Sequence, residues 1–358
     1  MRVRLRSGGC SLAVAMVTVN AACINFHPAP PPIPPAAAGE APGETWRQDG
    51  IRGARAPLAL TRSLVLIGAS NRRVVAVSRD SGDVRWTARL PGDIVGGVLA
   101  NETRIFAATG RPSGRVQAIS LSGGTIWRAN TGRMSSPLGL VADMVAGMTS
   151  TDEVVALNAA TGRVRWRRYA GPSRTAPAAA GPGRMLVTTM DSLILLETTA
   201  GRTIARRPIH GVALAGWQAL GDHLVAGFSD SSVVAIAPAT LRTVWRVTTD
   251  APVLGPVAIS GDTVWAATRT GTVYQIVSGD PPAVRVLATL GWPVTSGIVP
   301  VGPDLVLGGA DGAIRGLNRD GTERWRVRVW PAVDVSPVEL PDGFVAVGGD
   351  GDLYRFTR

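Results

Sequence analysis

Lysine is absent from this 358-residue chain, so all 37 of its basic residues are arginines and its formal charge is +11. Cysteine is almost absent as well. Cys10 and Cys23 both lie near the start, which excludes a disulfide or a cysteine-ligated metal in the rest of the chain. The three histidines, His27, His210 and His223, lie too far apart for a local ligand motif. The apolar fraction, by contrast, is 45%, which supports a large core and excludes a disordered chain.

The first 22 residues have the pattern of a secretory signal peptide. Three arginines within the first six residues form a basic region, and residues 11–19 form an apolar run that is too short to span a bilayer as a stable helix. Removal of residues 1–22 would lower the formal charge of +11 by three, to +8.

Cys23 is the predicted lipidation site. The small residues Ala21 and Ala22 precede it, as in bacterial lipoprotein signals, whereas Asn20 stands where an aliphatic residue is usual. The alternative is ordinary cleavage after Ala21, which would leave a free thiol in an oxidising compartment. Residues 28–42 are rich in proline and alanine, and we interpret them as a stiff, extended tether.

A repeat of about 40 residues runs through the rest of the chain. Its most visible element is a glycine followed four residues later by tryptophan, or a close variant. Two degenerate copies end at Ala205 and Leu287 instead of tryptophan. Successive landmarks are 38 to 42 residues apart, and the six tryptophans that mark the repeat are Trp46, Trp86, Trp127, Trp166, Trp245 and Trp325.

Each period predicts four β-strands. Residues 305–309, the turn at Asp311-Gly312 and residues 313–317 read as strand, tight turn and strand, and this pair occurs eight times. A shorter apolar strand precedes each pair, and a strand at the repeat position follows it. We therefore predict an all-β, eight-bladed β-propeller of four-stranded antiparallel blades.

The two ends of the chain complement each other. The last hairpin, at 344–356, has no tryptophan strand after it, and the strand around Trp46 has no hairpin before it. The N-terminal strand is expected to close the ring as the outer strand of the last blade. The predicted division is a signal peptide at 1–22, a tether at 23–43 and a single propeller at 44–358.

The six repeat tryptophans occupy the same position in the repeat, so we interpret them as residues that pack between blades rather than as residues that stack on a ligand. A large flat ring near the outer strand can cover the edge of the next blade and donate its indole N–H to a loop carbonyl.

The strand pattern before the repeat tryptophan (Val75-Ala76-Val77, Val155-Ala156-Leu157 and Val234-Ala235-Ile236) resembles the PQQ-like β-propeller repeat family. With eight blades, a secretory leader and the terminal strand at 351–358, the chain resembles the lipoproteins of that family that assist outer-membrane protein assembly. The resemblance implies a non-enzymatic periplasmic scaffold, anchored to the outer membrane by a lipidated N-terminus. It also implies an envelope protein partner, the outer-membrane barrel assembly machinery, bound by a monomer that needs no cofactor.

The same resemblance points to Arg174 as a partner-binding residue. In that family the partner docks on loops that follow the tryptophan strands, and the key arginine follows the third such strand after the opening one. Arg174 occupies the comparable place in loop 169–177. The paired aspartates of the family are not matched in residues 207–212, and the leucines before the arginine are missing. The alternative interpretation is a solvated loop arginine.

Two other functions compete with the scaffold. Quinone-dependent dehydrogenases resemble this chain in blade sequence, but they are much longer and use adjacent cysteines and carboxylate-held Ca²⁺. No cysteine follows Cys23, and no oxygen-ligand cluster or nucleophile motif is visible, so no catalytic, cofactor or metal site is predicted. His210 and His223 are interpreted as loop imidazoles bonded to carbonyls.

The second competitor is a propeller that binds an envelope polymer, as the +8 charge of the mature chain suggests. The densest basic run is Arg163, Arg165, Arg167 and Arg168, and simple alternation predicts that the first three share one face of a strand. A polyanion site is one interpretation of this run. We favour the other, in which charge on an outer strand blocks edge-to-edge pairing. Nucleic acid is not an expected partner outside the cytoplasm.

Overall fold

A computed structural model describes residues 41–51, 56–69, 71–329, 332–349 and 351–358. Within these ranges the chain contains strands, turns and irregular segments but no helix, and its strands form eight four-stranded antiparallel sheets. The predicted eight-bladed propeller is confirmed. The predicted signal peptide, Cys23 and nearly all of the tether lie outside the described residues.

The strands are numbered in chain order, and each blade is built from its inner to its outer strand. The first four blades comprise β2 (Ala59–Leu60), β3 (Leu64–Ala69), β4 (Arg73–Ser78) and β5 (Val84–Arg89); β6 (Ile94–Ala100), β7 (Arg104–Thr109), β8 (Arg115–Ser120) and β9 (Thr125–Asn130); β10 (Gly139–Val141), β11 (Met144–Met148), β12 (Glu153–Asn158) and β13 (Val164–Tyr169); and β14 (Ala178–Ala179), β15 (Arg184–Thr188), β16 (Ser192–Glu197) and β17 (Thr203–Pro208).

The remaining blades follow the same order, except that the outer strand of blade 8 comes from the start of the chain. They comprise β18 (Gln218–Leu220), β19 (His223–Phe228), β20 (Ser232–Ala237) and β21 (Arg242–Thr248); β22 (Ala258–Ser260), β23 (Thr263–Ala267), β24 (Thr272–Val277) and β25 (Ala283–Thr289); β26 (Val299–Val301), β27 (Asp304–Gly308), β28 (Ala313–Leu317) and β29 (Glu323–Arg328); and β30 (Val338–Leu340), β31 (Gly343–Val347), β32 (Leu353–Thr357) and β1 (Gly43–Gln48).

The middle strands are apolar on both faces because each blade is sandwiched between two others. In β4, for example, Val75 packs in the apolar seam shared with blade 8, whereas Val74 packs in the seam shared with blade 2. Eight apolar clusters, one for each pair of neighbouring blades, form the core. This explains the continuous apolar runs in the second and third strands of each blade, where a half-exposed sheet would alternate.

The outer strands share a β-bulge near the repeat position. In blade 1, Ala76 pairs with Trp86 and Val77 pairs with Val84, so Arg85 lies unpaired between them. The same shift precedes the repeat position in seven blades, whereas in blade 6 it falls on Leu287 itself. A bulge bends and twists an edge strand, which protects it from pairing with another molecule.

The ring is closed by the N-terminal strand, as predicted. β1 pairs antiparallel with β32, from Gly43 opposite Thr357 to Gln48 opposite Leu353. Trp46 on β1 then reaches blade 1, where its indole nitrogen donates to the Arg79 carbonyl at 2.9 Å. The first strand therefore completes blade 8 and joins that blade to blade 1.

Each antiparallel blade sends its connections alternately to two faces of the ring. The turns between second and third strands and the loops that lead to the next blade lie at one face, which we call the loop face. The other turns lie at the opposite face, which we call the turn face. Gly43, the first residue of β1, pairs with the end of β32 and so lies at the turn face.

Candidate functional site

The repeat glycine and the repeat tryptophan meet across four of the eight seams between blades. A Cβ placed on Gly201, in the outer turn of blade 4, would lie 2.5 Å from the ring of Trp166 in blade 3. Gly201 also has a φ of +67°, which favours glycine. In blades 1 to 4 the glycine of the motif thus packs on the tryptophan of the preceding blade, as the same contact shows for the pairs Gly82–Trp46, Gly123–Trp86 and Gly162–Trp127.

The indole nitrogens donate across the same seams. The acceptors are main-chain carbonyls of the next blade for the first four tryptophans and the Ser278 hydroxyl for Trp245: Trp46 to Arg79 (2.9 Å), Trp86 to Leu121 (2.8 Å), Trp127 to Ala159 (3.1 Å), Trp166 to Thr198 (2.8 Å) and Trp245 to Ser278 (3.3 Å).

Trp325 differs because blade 8 has no turn between its third and outer strands, which come from opposite ends of the chain. Its indole nitrogen instead donates to the Asp304 carboxylate of its own blade at 2.8 Å. Its ring stacks on Phe344 of blade 8, with centroids 5.7 Å apart.

The degenerate copy at Ala205 is matched by a second change. Leu241 takes the place of the facing glycine in blade 5, keeps a φ of +58° and is 2% exposed. Ala205 packs against the apolar cluster that contains Leu241. The small residue and the large one have exchanged sides of the seam, so the volume there is filled from the opposite blade.

Arg315 is a buried cation, and its partners lie in blade 7 and in the loop that leads to it. Its side chain is 2% exposed, its guanidinium lies 3.9 Å from the ring centroid of Trp292, and it donates to Asp311 at 3.0 Å. Burial raises the pKa of Asp311, but the hydrogen bonds and charge of Arg315 outweigh burial and hold that pKa below its usual value.

The described residues contain no group of three or more His, Cys, Asp and Glu side chains placed to hold a metal ion. His210 follows β17 at the loop face, whereas His223 begins β19 at the turn face, so the fold does not bring the two imidazoles together.

The basic run of blade 3 does not share one face. Arg163 precedes β13, and the bulge at Arg165 interrupts the alternation that the sequence suggested. Arg165 pairs with Asp143 of its own blade, Arg167 donates to the Thr131 carbonyl at 2.8 Å, and Arg168 donates to the Gly201 carbonyl of blade 4 at 3.0 Å. Three of the four arginines therefore hold the edge strand to its surroundings.

Arg174 projects from a loop that is otherwise fixed. Its neighbours Ser173 and Thr175 are 9% and 5% exposed, and the Thr175 amide donates to the Ser173 hydroxyl at 3.3 Å. The Pro172 carbonyl accepts a hydrogen bond from the Met190 amide of blade 4 at 3.0 Å. Arg174 itself is exposed. The loop thus presents one cation from a backbone that is anchored on both sides.

Two exposed apolar side chains flank this loop, and sequence reasoning did not single them out. Tyr169, at the end of β13, is 69% exposed, and Met190, in the next turn at the loop face, is 44% exposed. Their only sequence signal is a large apolar residue at the end of an outer strand or in a turn. Tyrosine, methionine and arginine are residue types enriched at protein interfaces.

Carboxylates also reach this region, although residues 207–212 contain none. The Asp191 carbonyl accepts a hydrogen bond from the Ile209 amide at 2.9 Å, and a Cβ on Gly211 would lie 2.6 Å from the Asp230 carboxyl carbon. Hydrogen bonds from Thr189 and Ser192 and the charge of Arg206 hold the pKa of Asp191 below its usual value. The turns of blades 4 and 5 thus place two carboxylates beside this loop, each paired with an arginine of its own blade.

The strand order, the tryptophan seams and the outer-strand motif define a PQQ-like β-propeller. The chain belongs to the family described as outer membrane protein assembly factor BamB, whose model matches residues 37–121, 112–240 and 229–356. No curated protein sequence matches the chain. No helix of the described residues is long and apolar enough to cross a membrane.

Solved structures share the fold at low identity. BamB from Moraxella catarrhalis has a TM-score of 0.72 at 16% identity and covers 89% of this chain and 100% of its own. The computationally designed Ika8 protein has a TM-score of 0.75 at 13% identity, covering 88% and 99%. A quinohemoprotein alcohol dehydrogenase from Pseudomonas putida HK5 has a TM-score of 0.61 at 12% identity, covering 88% and 76%. These likenesses show the fold alone.

Proposed function

We propose that this protein is a non-enzymatic periplasmic scaffold that binds the outer-membrane barrel assembly machinery during outer-membrane protein assembly. Membership of the BamB family supports this role. The observation that carries the proposal is the fixed loop 170–177, which presents exposed Arg174 between exposed Tyr169 and Met190.

A fixed loop is a favourable binding element because docking orders few additional groups. Immobilising a flexible side chain or loop residue on binding costs about 0.5–1.5 kcal/mol each, and loop 170–177 has already met this cost through its contacts with blades 3 and 4. Tyrosine and arginine anchors dominate many interface energies. The loop therefore supports a protein partner better than a small substrate.

The start of the N-terminal strand and this loop lie at opposite faces of the ring. Gly43 lies at the turn face, where the chain that follows the tether enters the propeller. Loop 170–177 lies at the loop face. The chain therefore enters the propeller at the face opposite the loop.

A crosslinking pull-down from native membranes tests the scaffold. We expect the wild type to capture components of the barrel assembly machinery and Arg174→Ala to capture less, mainly because dissociation is faster. Arg163→Ala is the matched control, since Arg163 is also exposed but lies at the turn face. Equal capture by the wild type and Arg174→Ala would remove this loop from the interface, and failure of the wild type to capture that machinery would refute the proposed partner.

A further inference from the structure

The loop face is uneven in charge. In blades 4, 5, 7 and 8 the turn between the second and third strands carries an aspartate that pairs with an arginine of the same blade; these pairs are Asp191–Arg206, Asp230–Arg246, Asp311–Arg315 and Asp352–Arg47. In blades 1 and 2 the same turns, or the first residues of the strands that follow them, carry arginines instead, at positions 72, 73, 111 and 115. Blade 6 carries a single arginine, Arg269, in this turn, whereas the arginines of blades 1 and 2 lie on neighbouring blades.

Four segments bring these arginines into one area, which we call the basic patch: 71–73, 89–93, 111–115 and 130–133. The Leu90 amide donates to the Arg72 carbonyl at 2.7 Å, and the Asp93 amide donates to the Arg111 carbonyl at 2.7 Å. A Cβ on Gly114 would lie 2.2 Å from the Arg133 amide nitrogen. The segments are contiguous, and they contain six arginines but only one carboxylate.

Most of these cations have no polar partner in the described part of the chain. Arg72 pairs with Asp93 at 3.0 Å. Arg73, Arg89, Arg111 and Arg133 are exposed, and among the described residues none forms an ion pair or side-chain hydrogen bond with their guanidinium groups.

Two of these four cations oppose the fold. Arg73 and Arg89 lie directly opposite each other on β4 and β5, and like charges at such a position destabilise a sheet. A cluster of unpaired cations that weakens its own sheet indicates an anionic ligand.

The shape of the basic patch indicates which kind of anionic ligand fits it. A flat anionic membrane laid on the loop face would also meet the turns of the other blades, where aspartates such as Asp191 and Asp230 are already paired with arginines and no excess of cations attracts it. The entry strand, at Gly43, lies at the opposite face. A narrow, flexible chain could follow the basic patch alone. We propose that the basic patch binds an acidic, flexible segment of a partner protein, independently of loop 170–177.

The test uses the mature chain and a fluorescein-labelled hexaglutamate peptide, followed by fluorescence anisotropy at low ionic strength. We expect Arg89→Gln/Arg111→Gln to raise Kd by about 2- to 30-fold, since each exposed ion pair contributes modestly. We also expect a weaker dependence of binding on salt. The charge-matched control is Arg163→Gln/Arg242→Gln, which removes two exposed arginines from the turn face and should leave Kd within twofold of the wild type.

Three results would overturn the proposal. One is failure of the wild type to bind the peptide at low salt. Another is equal loss of affinity in the patch and control variants, which would mean attraction to net charge. The third is a patch variant that binds the peptide normally but loses binding to phosphatidylglycerol vesicles or polygalacturonate, which would assign the patch to a membrane or a polysaccharide. Melting temperatures within 1–2 °C of the wild type, as expected for exposed sites away from the core, confirm that the variants are folded.

Discussion

Replacing Trp166 by alanine tests whether the repeat tryptophan stabilises the seam between blades 3 and 4. The side chain is 8% exposed, packs on Gly201 and donates to the Thr198 carbonyl at 2.8 Å. Truncation of a buried aromatic residue to alanine costs about 3–5 kcal/mol. At about 2 °C per kcal/mol for a domain of this size, the melting temperature should fall by about 6–10 °C.

A second substitution separates packing from a general loss of stability. The natural pair Ala205 and Leu241 fills its seam with the large residue on the other side. Gly201→Leu alone should destabilise the protein, because its Cβ would lie 2.5 Å from the Trp166 ring. In the double variant Trp166→Ala/Gly201→Leu, burial of leucine contributes about 1.5–3 kcal/mol against about 1–2 kcal/mol for its left-handed backbone.

We therefore expect the double variant to regain about 1 kcal/mol over Trp166→Ala, and the two substitutions to be strongly non-additive. Thermal melts and denaturant titrations of the wild type, both single variants and the double variant complete the cycle. Additive effects would refute the inference that the glycine and tryptophan share one seam. A Trp166→Ala protein that melts like the wild type would show that the repeat core has been misplaced.

Three further predictions concern the anchor, the ring closure and an ion pair. Mass spectrometry of the mature N-terminus should show an acylated Cys23, and a chain that begins at Ala22 with a free thiol would contradict the anchor. Deletion of residues 44–50 removes the strand that covers β32, so it should lower the melting temperature and promote association, and a stable monomer with unchanged melting would contradict closure. Because Asp311 has a depressed pKa, its contribution to stability is present above its unfolded pKa of about 3.9 and is lost as pH falls through the lower folded value. Asp311→Asn should therefore lose less stability than the wild type on acidification below about pH 4, and identical acid titrations would contradict this.

The glycine and the tryptophan of one repeat motif contact different neighbouring blades, although their close spacing suggests that they act at one place. The glycine lies four residues before the tryptophan. The glycine packs in the seam with the preceding blade, whereas the tryptophan packs in the seam with the next blade. A substitution in one blade therefore removes contacts from a residue of the next blade about 35 positions away. The indole hydrogen bond from Trp86 to the Leu121 carbonyl is an example. The small residue Ala205 of blade 4 and the large residue Leu241 of blade 5 likewise compensate for each other across a seam, although they are far apart in the sequence.

Much of the architecture could be predicted from local signals. The 40-residue period, the paired apolar strands and the unmatched strands at the two ends of the chain predicted eight blades closed by β1. These features depend on strand periodicity and turn chemistry, which act over a few residues and can be read along the chain. The role of Arg174 in binding a partner remains a prediction, and the same is true of lipidation at Cys23.

Contacts between blades were decided by the tertiary structure. The bulge that separates Arg163, Arg165 and Arg167 depends on pairing with β12, and simple alternation could not reveal it. The basic patch joins segments whose arginines lie as far apart as positions 72 and 133 and have no shared spacing in the sequence. Local rules determine which residues form strands and turns. The docking of one blade on the next determines which side chains meet, because that contact depends on the register and twist of both sheets at once.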